Sequence, residues 1–519
     1  MRGLRKIGRL AKWGETERRG AGSSAESGSR YAKIRRRETG MKVRATISMR
    51  VLFAVLPVLC AVELACGTNP LFVALMAGTL ICITITYNAL GGLGTISGIL
   101  FASLGVRTIV ISQFAKALLL QAADKNLDAP LLTIGVYQVF FLSAMIGVLT
   151  FGKLRLKLPK PLEVGEGRQT DLVIFASMAV GLFATLQMEI GNHNQSSQTT
   201  AGNAALIFLF SGLSVFALVM AVNSRITQTE GAHSFGIQAF IPWAALTLMG
   251  FVATSRSSVV GPSLAYLVAC YARGYRFRRM HAFAVLGGIA FFYAVISPVQ
   301  LYSRSQVGQA TYREQIDHAV SMLSDPPSWS TVKRLGLQAG QDVPSREDYF
   351  DVPGTFVLSR LSLIRSDSNM MSVCSSGFHY GWTVARIEIL LSIPRIFHQE
   401  RPATGPAAYT GRLTGLNSDS DENAQIVLSP VADAFGSFGW LSVSLFPMVV
   451  FPLAFVMLDS MFNLESTWGM VALGLVLGKF AEMSLLGYLL LSVRLFILIQ
   501  IMSYAVVGVA RMVPTKDEA

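Results

Sequence analysis

Charge is what this sequence has least of: only 14% of its 519 residues are Asp, Glu, Lys or Arg, whereas 52% are hydrophobic. A soluble chain of this length would form roughly three domains, and no such domain could bury so much apolar surface. Several stretches of about 20 residues hold almost no charge, the length a helix needs to cross a hydrocarbon core of about 30 Å. Cysteine is scarce as well. Cys60, Cys66, Cys82 and Cys270 fall in or beside apolar segments and Cys374 stands apart in a long polar stretch, which excludes a disulfide framework and a CxxC metal site. A GxxxxGK[ST] loop is missing, which argues against an ATP-driven pump. GxSxG and HExxH are missing too, which argues against the common hydrolases. Strand alternation, heptads and internal repeats are not sustained anywhere. The remaining class is an all-α polytopic membrane protein.

The net charge of +13 is concentrated at the start, where residues 1–50 hold 15 Lys and Arg against 4 Glu, a net +11. Rich in Arg, Gly and Ser and without hydrophobic periodicity, residues 1–49 read as a disordered basic cytoplasmic tail rather than a nucleic-acid-binding arm. Met41-Lys-Val-Arg, just before the first apolar run, offers an alternative start. Apolar spans are expected at 50–66, 70–88, 96–122, 130–151, 171–187, 202–223, 237–254, 257–273 and 281–302. After a long interruption they resume at 435–459, 467–487 and 489–511, about twelve in all. Residues 512–519 form a short tail. The stretch 89–122 is taken as one span despite its glycines, Arg107 and Lys116, because two spans would reverse every later loop.

Cytoplasmic loops retain Lys and Arg. With both termini inside, the loop holding Lys153, Arg155, Lys157, Lys160 and Arg168 and the cluster Arg273, Arg276, Arg278 and Arg279 also fall inside. Parity then places residues 303–434 outside, as one large, partly helical extracytoplasmic loop. Helical spacing within it appears at 313–323 and 380–393, the second lying along the membrane surface.

Charges at membrane depth need a reason. Arg256 sits in a short outer turn, where its planar fork suits a phosphate. The alternative is an interfacial anchor. Lys479 and Glu482 stand at i, i+3 and either pair structurally or meet substrate, with Arg494 in the last span, while Glu63 reads as interfacial. The large loop carries 14 acids against 11 bases, so its arginines matter only where they converge. The densest mixture of aromatic, His and Arg groups is Phe378-His-Tyr-Gly-Trp with Ile393-Pro-Arg-Ile-Phe-His-Gln-Glu-Arg-Pro, which suits sugar stacking and pyrophosphate. No spacing of His379 and His398 suggests a metal.

Four segments together carry a resemblance: the Ser255-Arg256-Ser257 turn, Ser297-Pro-Val-Gln-Leu-Tyr-Ser-Arg304, Ile393-Pro-Arg-Ile-Phe, and Ala432-Asp-Ala-Phe-Gly-Ser-Phe-Gly-Trp440. With the hydropathy plan, they make residues 240–460 similar to the oligosaccharide repeat-unit polymerases, the Wzy-type O-antigen polymerase family. The resemblance implies a GT-C-like membrane fold and a metal-independent glycosyltransferase without cofactor. Such an enzyme would join undecaprenyl-pyrophosphate-linked glycans on the outer face of the bacterial inner membrane. Its partners would be the bilayer and a flippase and chain-length regulator of the same pathway, with no nucleic acid. On that logic Arg256 and Arg304, helped by Arg360 or Arg395, would hold the pyrophosphate. His379 would be the first choice of general base, followed by Glu388 or Asp433. Gly436 and Gly439 would serve the turn of the backbone. The rival readings are an O-antigen ligase, which shares the plan, and a transporter, against which stand the lack of internal symmetry and the large outer loop.

Overall fold

A computed structural model describes residues 46–163, 169–193, 201–252, 256–275, 349–351, 361–393, 406–414, 428–478 and 480–511, with the single positions 277, 283, 287, 288, 314 and 317. Among these residues the chain is helical and has no strand. In order run α1 Met49–Ala65, α2 Pro70–Ala89, α3 Ile96–Leu118, α4 Pro130–Phe151, α5 Gln169–His193, α6 Ala201–Gln228, α7 Ile237–Val252 and α8 Arg256–Ala272. Then follow α9 Ile364–Ser375, α10 Thr383–Ser392, α11 Pro406–Leu413, α12 Pro430–Phe438, α13 Trp440–Met461, α14 Thr467–Val476 and α15 Leu485–Arg511. Among the described residues seven helices are long and apolar enough to cross a membrane, and 237–251, 258–272 and 467–476 are shorter apolar helices. These are the helices of a multi-pass membrane protein. The span expected at 281–302, single positions apart, and the tail 1–45 lie outside the described residues.

Helices in lipid gain little from apolar burial against one another, so close packing and small residues carry association. Gly147 of α4 shows this: a Cβ there would stand 2.2 Å from the Met448 carbonyl oxygen of α13. Between those two helices Phe101 of α3 sits edge-on to Phe141, Phe451 and Phe455, with ring centroids 5.9–6.1 Å apart. These T-shaped pairs add to area burial, and they fix α3, α4 and α13 around one aromatic centre.

Stretch 96–118 is indeed one helix, but its middle, Val106–Val110, widens into a π turn. Such turns free backbone carbonyls from the ordinary ladder. Here the freed Arg107 carbonyl accepts a hydrogen bond from Leu363 N–H at 3.0 Å. Arg107 lies midway between Ile96 and Leu118, about 16 Å from either end at 1.5 Å per residue. The polar stretch after residue 303 therefore does not simply float beyond the bundle, because its residue 363 reaches mid-helix depth.

Two further contacts tie that stretch down, and a third buried charge holds the 119–129 turn. Asp367 is fully buried and accepts from Tyr137 O–H of α4 at 2.5 Å, from Ser429 N–H at 2.9 Å and from Ser429 O–H at 2.5 Å. Lys116, also fully buried, stands 4.4 Å from the Tyr349 ring centroid, a cation–π contact. Glu63, expected at the interface, is instead buried and accepts from Thr68 O–H and Ala123 N–H. Its Oε2 thereby holds the 119–129 turn in place, while its Oε1 is buried with no partner among the described residues.

The segment expected as a helix over 467–487 is broken. α14 stops at Val476, a short 3₁₀ turn spans Phe480–Glu482, and α15 starts at Leu485 rather than 489. Among the described residues, 467–484 thus form a short apolar helix followed by irregular backbone, which at membrane depth is tolerated only where it lines a cavity or is buried in protein. Likewise the span expected from 435 begins at Trp440, because α12 ends at Phe438 and Gly439 turns the chain at φ +62°. A side chain there would be strained, which matches the role expected of Gly439. Gly436 serves close approach instead, since a Cβ on it would lie 2.4 Å from the Tyr380 ring.

Candidate functional site

Where α10, α11 and α12 meet the break in the α14–α15 segment, a cavity of about 210 Å³ opens. Val384, Glu388, Pro406, Ala407, Thr410, Leu428, Asp433, Glu482, Met483 and Ser484 line it. Three carboxyls thus face one small space from three separate stretches of chain. Each is held differently.

Asp433 is stapled on both oxygens. Its Oδ1 lies 2.7 Å from Tyr380 O–H, and its Oδ2 accepts from Leu485 N–H at 3.0 Å. Leu485 opens α15, so the carboxylate caps a helix N-terminus, where the dipole favours negative charge. Tyr380 is fixed in turn by its own N–H, which donates to Gly436 O at 3.0 Å. Burial nevertheless pushes the Asp433 carboxyl above its ordinary value, with those two donors opposing.

Glu388 is the more reactive member. Ser484 O–H donates to its Oε2, and among the described residues nothing bonds its Oε1. Burial first, and then the negative charge of Asp433, push its carboxyl up to about 7, against the pull of Ser484 and of Arg494. Arg494 itself donates to Leu391 O at 2.9 Å, pinning α10 against α15. Ser484 also accepts from Gly487 N–H at 3.0 Å, so one hydroxyl caps α15 and orients Glu388. A carboxyl that exchanges its proton near neutral pH is what general acid–base chemistry needs.

Glu482 pairs with Arg107. Its suggested partner, Lys479, lies outside the described residues. Arg107 uses one guanidinium nitrogen for this pair, and its Nε is buried with no partner among the described residues. Side-chain exposures of 18% and 29% leave the pair partly open, as a rim of the cavity rather than a sealed core contact.

His379 stands elsewhere. It is exposed, its ring edge-on to Phe435 with centroids 5.9 Å apart, and it is not among the residues lining the cavity. The structure therefore brings Glu388 and Asp433 together and leaves the first-choice base outside. Arg256 begins α8, though its side chain lies outside the described residues, as do Arg304, Arg360 and Arg395 entirely. Among the described residues no three His, Cys, Asp or Glu side chains converge on a point where one metal ion would sit.

The chain matches no family model, no curated protein and no solved structure. Its own geometry defines the site. Arg107, Glu482, Ser484 and Tyr380 complete it, and the sequence carried a signal for the first: a lone arginine at the centre of an apolar helix is expensive and functional by default. Ser484, four residues ahead of Tyr488 and directly before an apolar run, has the position of an N-cap.

Proposed function

We propose that this protein is a lipid-linked-glycan polymerase of the Wzy type, a membrane glycosyltransferase of about twelve spans with a GT-C-like plan and an extracytoplasmic active site. The observation that supports this reading is Glu388: a carboxyl with a proton affinity near neutrality, in a cavity formed jointly by the large polar loop and an interrupted membrane helix. In a transferase such a carboxyl serves as the general base for the acceptor hydroxyl.

In the reaction, a hydroxyl of the acceptor sugar attacks the anomeric carbon of the donor glycan. The hydroxyl proton passes to Glu388 as the new C–O bond forms. The old bond between anomeric carbon and phosphate oxygen breaks, and its electron pair leaves on undecaprenyl pyrophosphate. Asp433 holds the start of α15 and raises the basicity of Glu388 through its charge. Ser484 orients the carboxylate. The leaving anion requires guanidinium groups. Arg256 remains the proposal on the outer turn, with Arg304, Arg360 and Arg395, and Arg107 stands nearest the described cavity.

The interrupted helix favours one other reading, transport of a lipid-linked glycan, since broken helices commonly form mid-membrane transport sites. Deletion of the gene followed by gel analysis of surface polysaccharide separates them. Single-repeat capped lipid without long ladders supports a polymerase. Loss of all capping points to a transporter or to an O-antigen ligase, and a normal profile removes every one of these readings. At residue level, Glu388→Gln should abolish the ladder and His379→Ala should keep it. The reverse pattern would restore His379 as base and overturn the assignment to Glu388.

A further inference from the structure

The carboxylate-lined cavity has a charge that the leaving group cannot tolerate. Glu388, Asp433 and Glu482 face it, and among the described residues the one guanidinium bonded to any of them is Arg107, on Glu482. No Lys or Arg lines the space, so a pyrophosphate placed inside would face the carboxylates with only partial compensation from Arg494, whose charge acts on Glu388 from outside the lining, whereas sugar hydroxyls would find acceptors. The size is equally selective. At about 210 Å³ the space falls below the roughly 300–1,000 Å³ of pockets that hold drug-sized ligands. It is enough for one sugar ring and too small for a repeat unit of several.

Its walls fit the same ligand. Val384, Pro406, Ala407, Leu428 and Met483 supply apolar faces for the ring carbons, while the carboxylates, Thr410 and Ser484 supply edge-on polar atoms. Mostly apolar lining with a few convergent polar groups is the ordinary composition of a small-molecule site. Arg107, whose buried Nε has no partner among the described residues, is not among the residues lining the cavity.

We propose that this cavity is the acceptor subsite, taking a single neutral or amino sugar ring by its hydroxyls and excluding phosphate. The proposal rests on the transferase reading for the word acceptor, but the ligand class follows from the lining alone. It assigns Glu388 Oε1 to the attacking hydroxyl and Glu482 to a neighbouring one. The donor pyrophosphate is then held outside the carboxylate ring, on the side of Arg107.

The test uses the full-length chain in nanodiscs, a panel of methyl glycosides of neutral hexoses and of glucosamine, and inorganic pyrophosphate as competitor. Saturation-transfer NMR reports binding. At least one glycoside should give transfer, pyrophosphate should not displace it, and Ala407→Trp, which fills the cavity from its wall, should reduce the signal at least fivefold. Ala407→Phe serves where the larger ring prevents folding, checked by thermal unfolding. Displacement by pyrophosphate, an unchanged signal in a folded filled-cavity variant, or no binding across the panel would each overturn the subsite. Failure of the two readings is separable. Cavity-dependent glycoside binding combined with a normal polysaccharide profile on gene deletion would sink the polymerase and leave the sugar site standing. A lost ladder together with glycoside binding indifferent to Ala407→Trp would do the opposite.

Discussion

Replacing Glu388 by Gln tests the site in two directions at once, because it should remove function while raising stability. The folded-state carboxyl is pushed from an ordinary 4.5 up to about 7. A group whose pKa rises on folding binds more protons folded than unfolded, so stability is lost as pH climbs from 4.5 to 7 and is level above that window. At 1.36 kcal/mol per pH unit, holding Glu388 ionised at pH 8 costs about 3 kcal/mol, or about 2 after allowing for its partial contact with solvent. Gln keeps the shape and still accepts from Ser484 O–H, yet does not titrate. The variant should therefore match the wild type near pH 5 and exceed it by about 2 kcal/mol at pH 8, read as a rise of a few degrees in the thermal midpoint in nanodiscs. Measuring both proteins at pH 5, 6.5 and 8 isolates Glu388 from the other buried carboxyls, which are common to both. A stability difference that does not change with pH, or a wild type that is the more stable at pH 8, would refute the burial argument. If Glu388 is the base of the proposed transfer, activity of the wild type should in addition fall below pH 7, as that carboxyl becomes protonated.

Other perturbations follow from the same contacts. Arg107→Met should cost about 1–2 kcal/mol, between an exposed ion pair and a sealed one, since Glu482 would be left uncompensated; the double substitution with Glu482→Gln should recover most of it in a thermal-unfolding cycle, and strict additivity would show that the pair contributes nothing. Asp367→Asn gives a hydrogen-bond donor to a position surrounded by Tyr137 O–H, Ser429 O–H and Ser429 N–H, all donors. A loss of about 1–3 kcal/mol and faster proteolysis in the exposed 375–379 turn are expected, and unchanged cleavage would argue that the loop is anchored without it. Gly439→Ala should destabilise by about 1–3 kcal/mol through its φ of +62°, and a neutral outcome by the same assay would show that this turn relaxes.

The helices were legible because lipid demands long uncharged stretches, and α2, α4 and α13 announce themselves by composition alone. The break at 477–484 was not, since Leu-Gly-Lys-Phe-Ala-Glu-Met-Ser is hardly more polar than a helix that carries one ion pair. Hydropathy averages over the feature that matters there. Glu388 and Asp433 could be nominated from the sequence, after His379, but their convergence on one cavity could not. Burial distinguishes the candidates: His379 lies in the open, while the buried Glu388 carboxyl is lifted to about 7. The pairing of Glu482 was equally hidden, because Arg107 is 375 residues away in sequence and only the packing of α3 against the interrupted segment joins them.

The break and the polar loop also explain each other. An interrupted helix leaves backbone N–H groups at Leu485 and Gly487 that a lipid-facing surface could not satisfy. Asp433 from the loop takes the first and Ser484 the second. Each of those acceptors also stands in the cavity beside Glu388. The loop thus caps the start of α15, and the residue before α15 in turn holds Glu388. Removing the cap by Ser484→Ala should accordingly disturb both, costing about 1 kcal/mol of stability through lost helix capping, read as a lower thermal midpoint, and shifting the pH dependence of the proposed transfer upward as Glu388 loses its donor. A variant that lost stability but kept the wild-type pH profile would separate the two roles, and would locate the base somewhere other than Glu388.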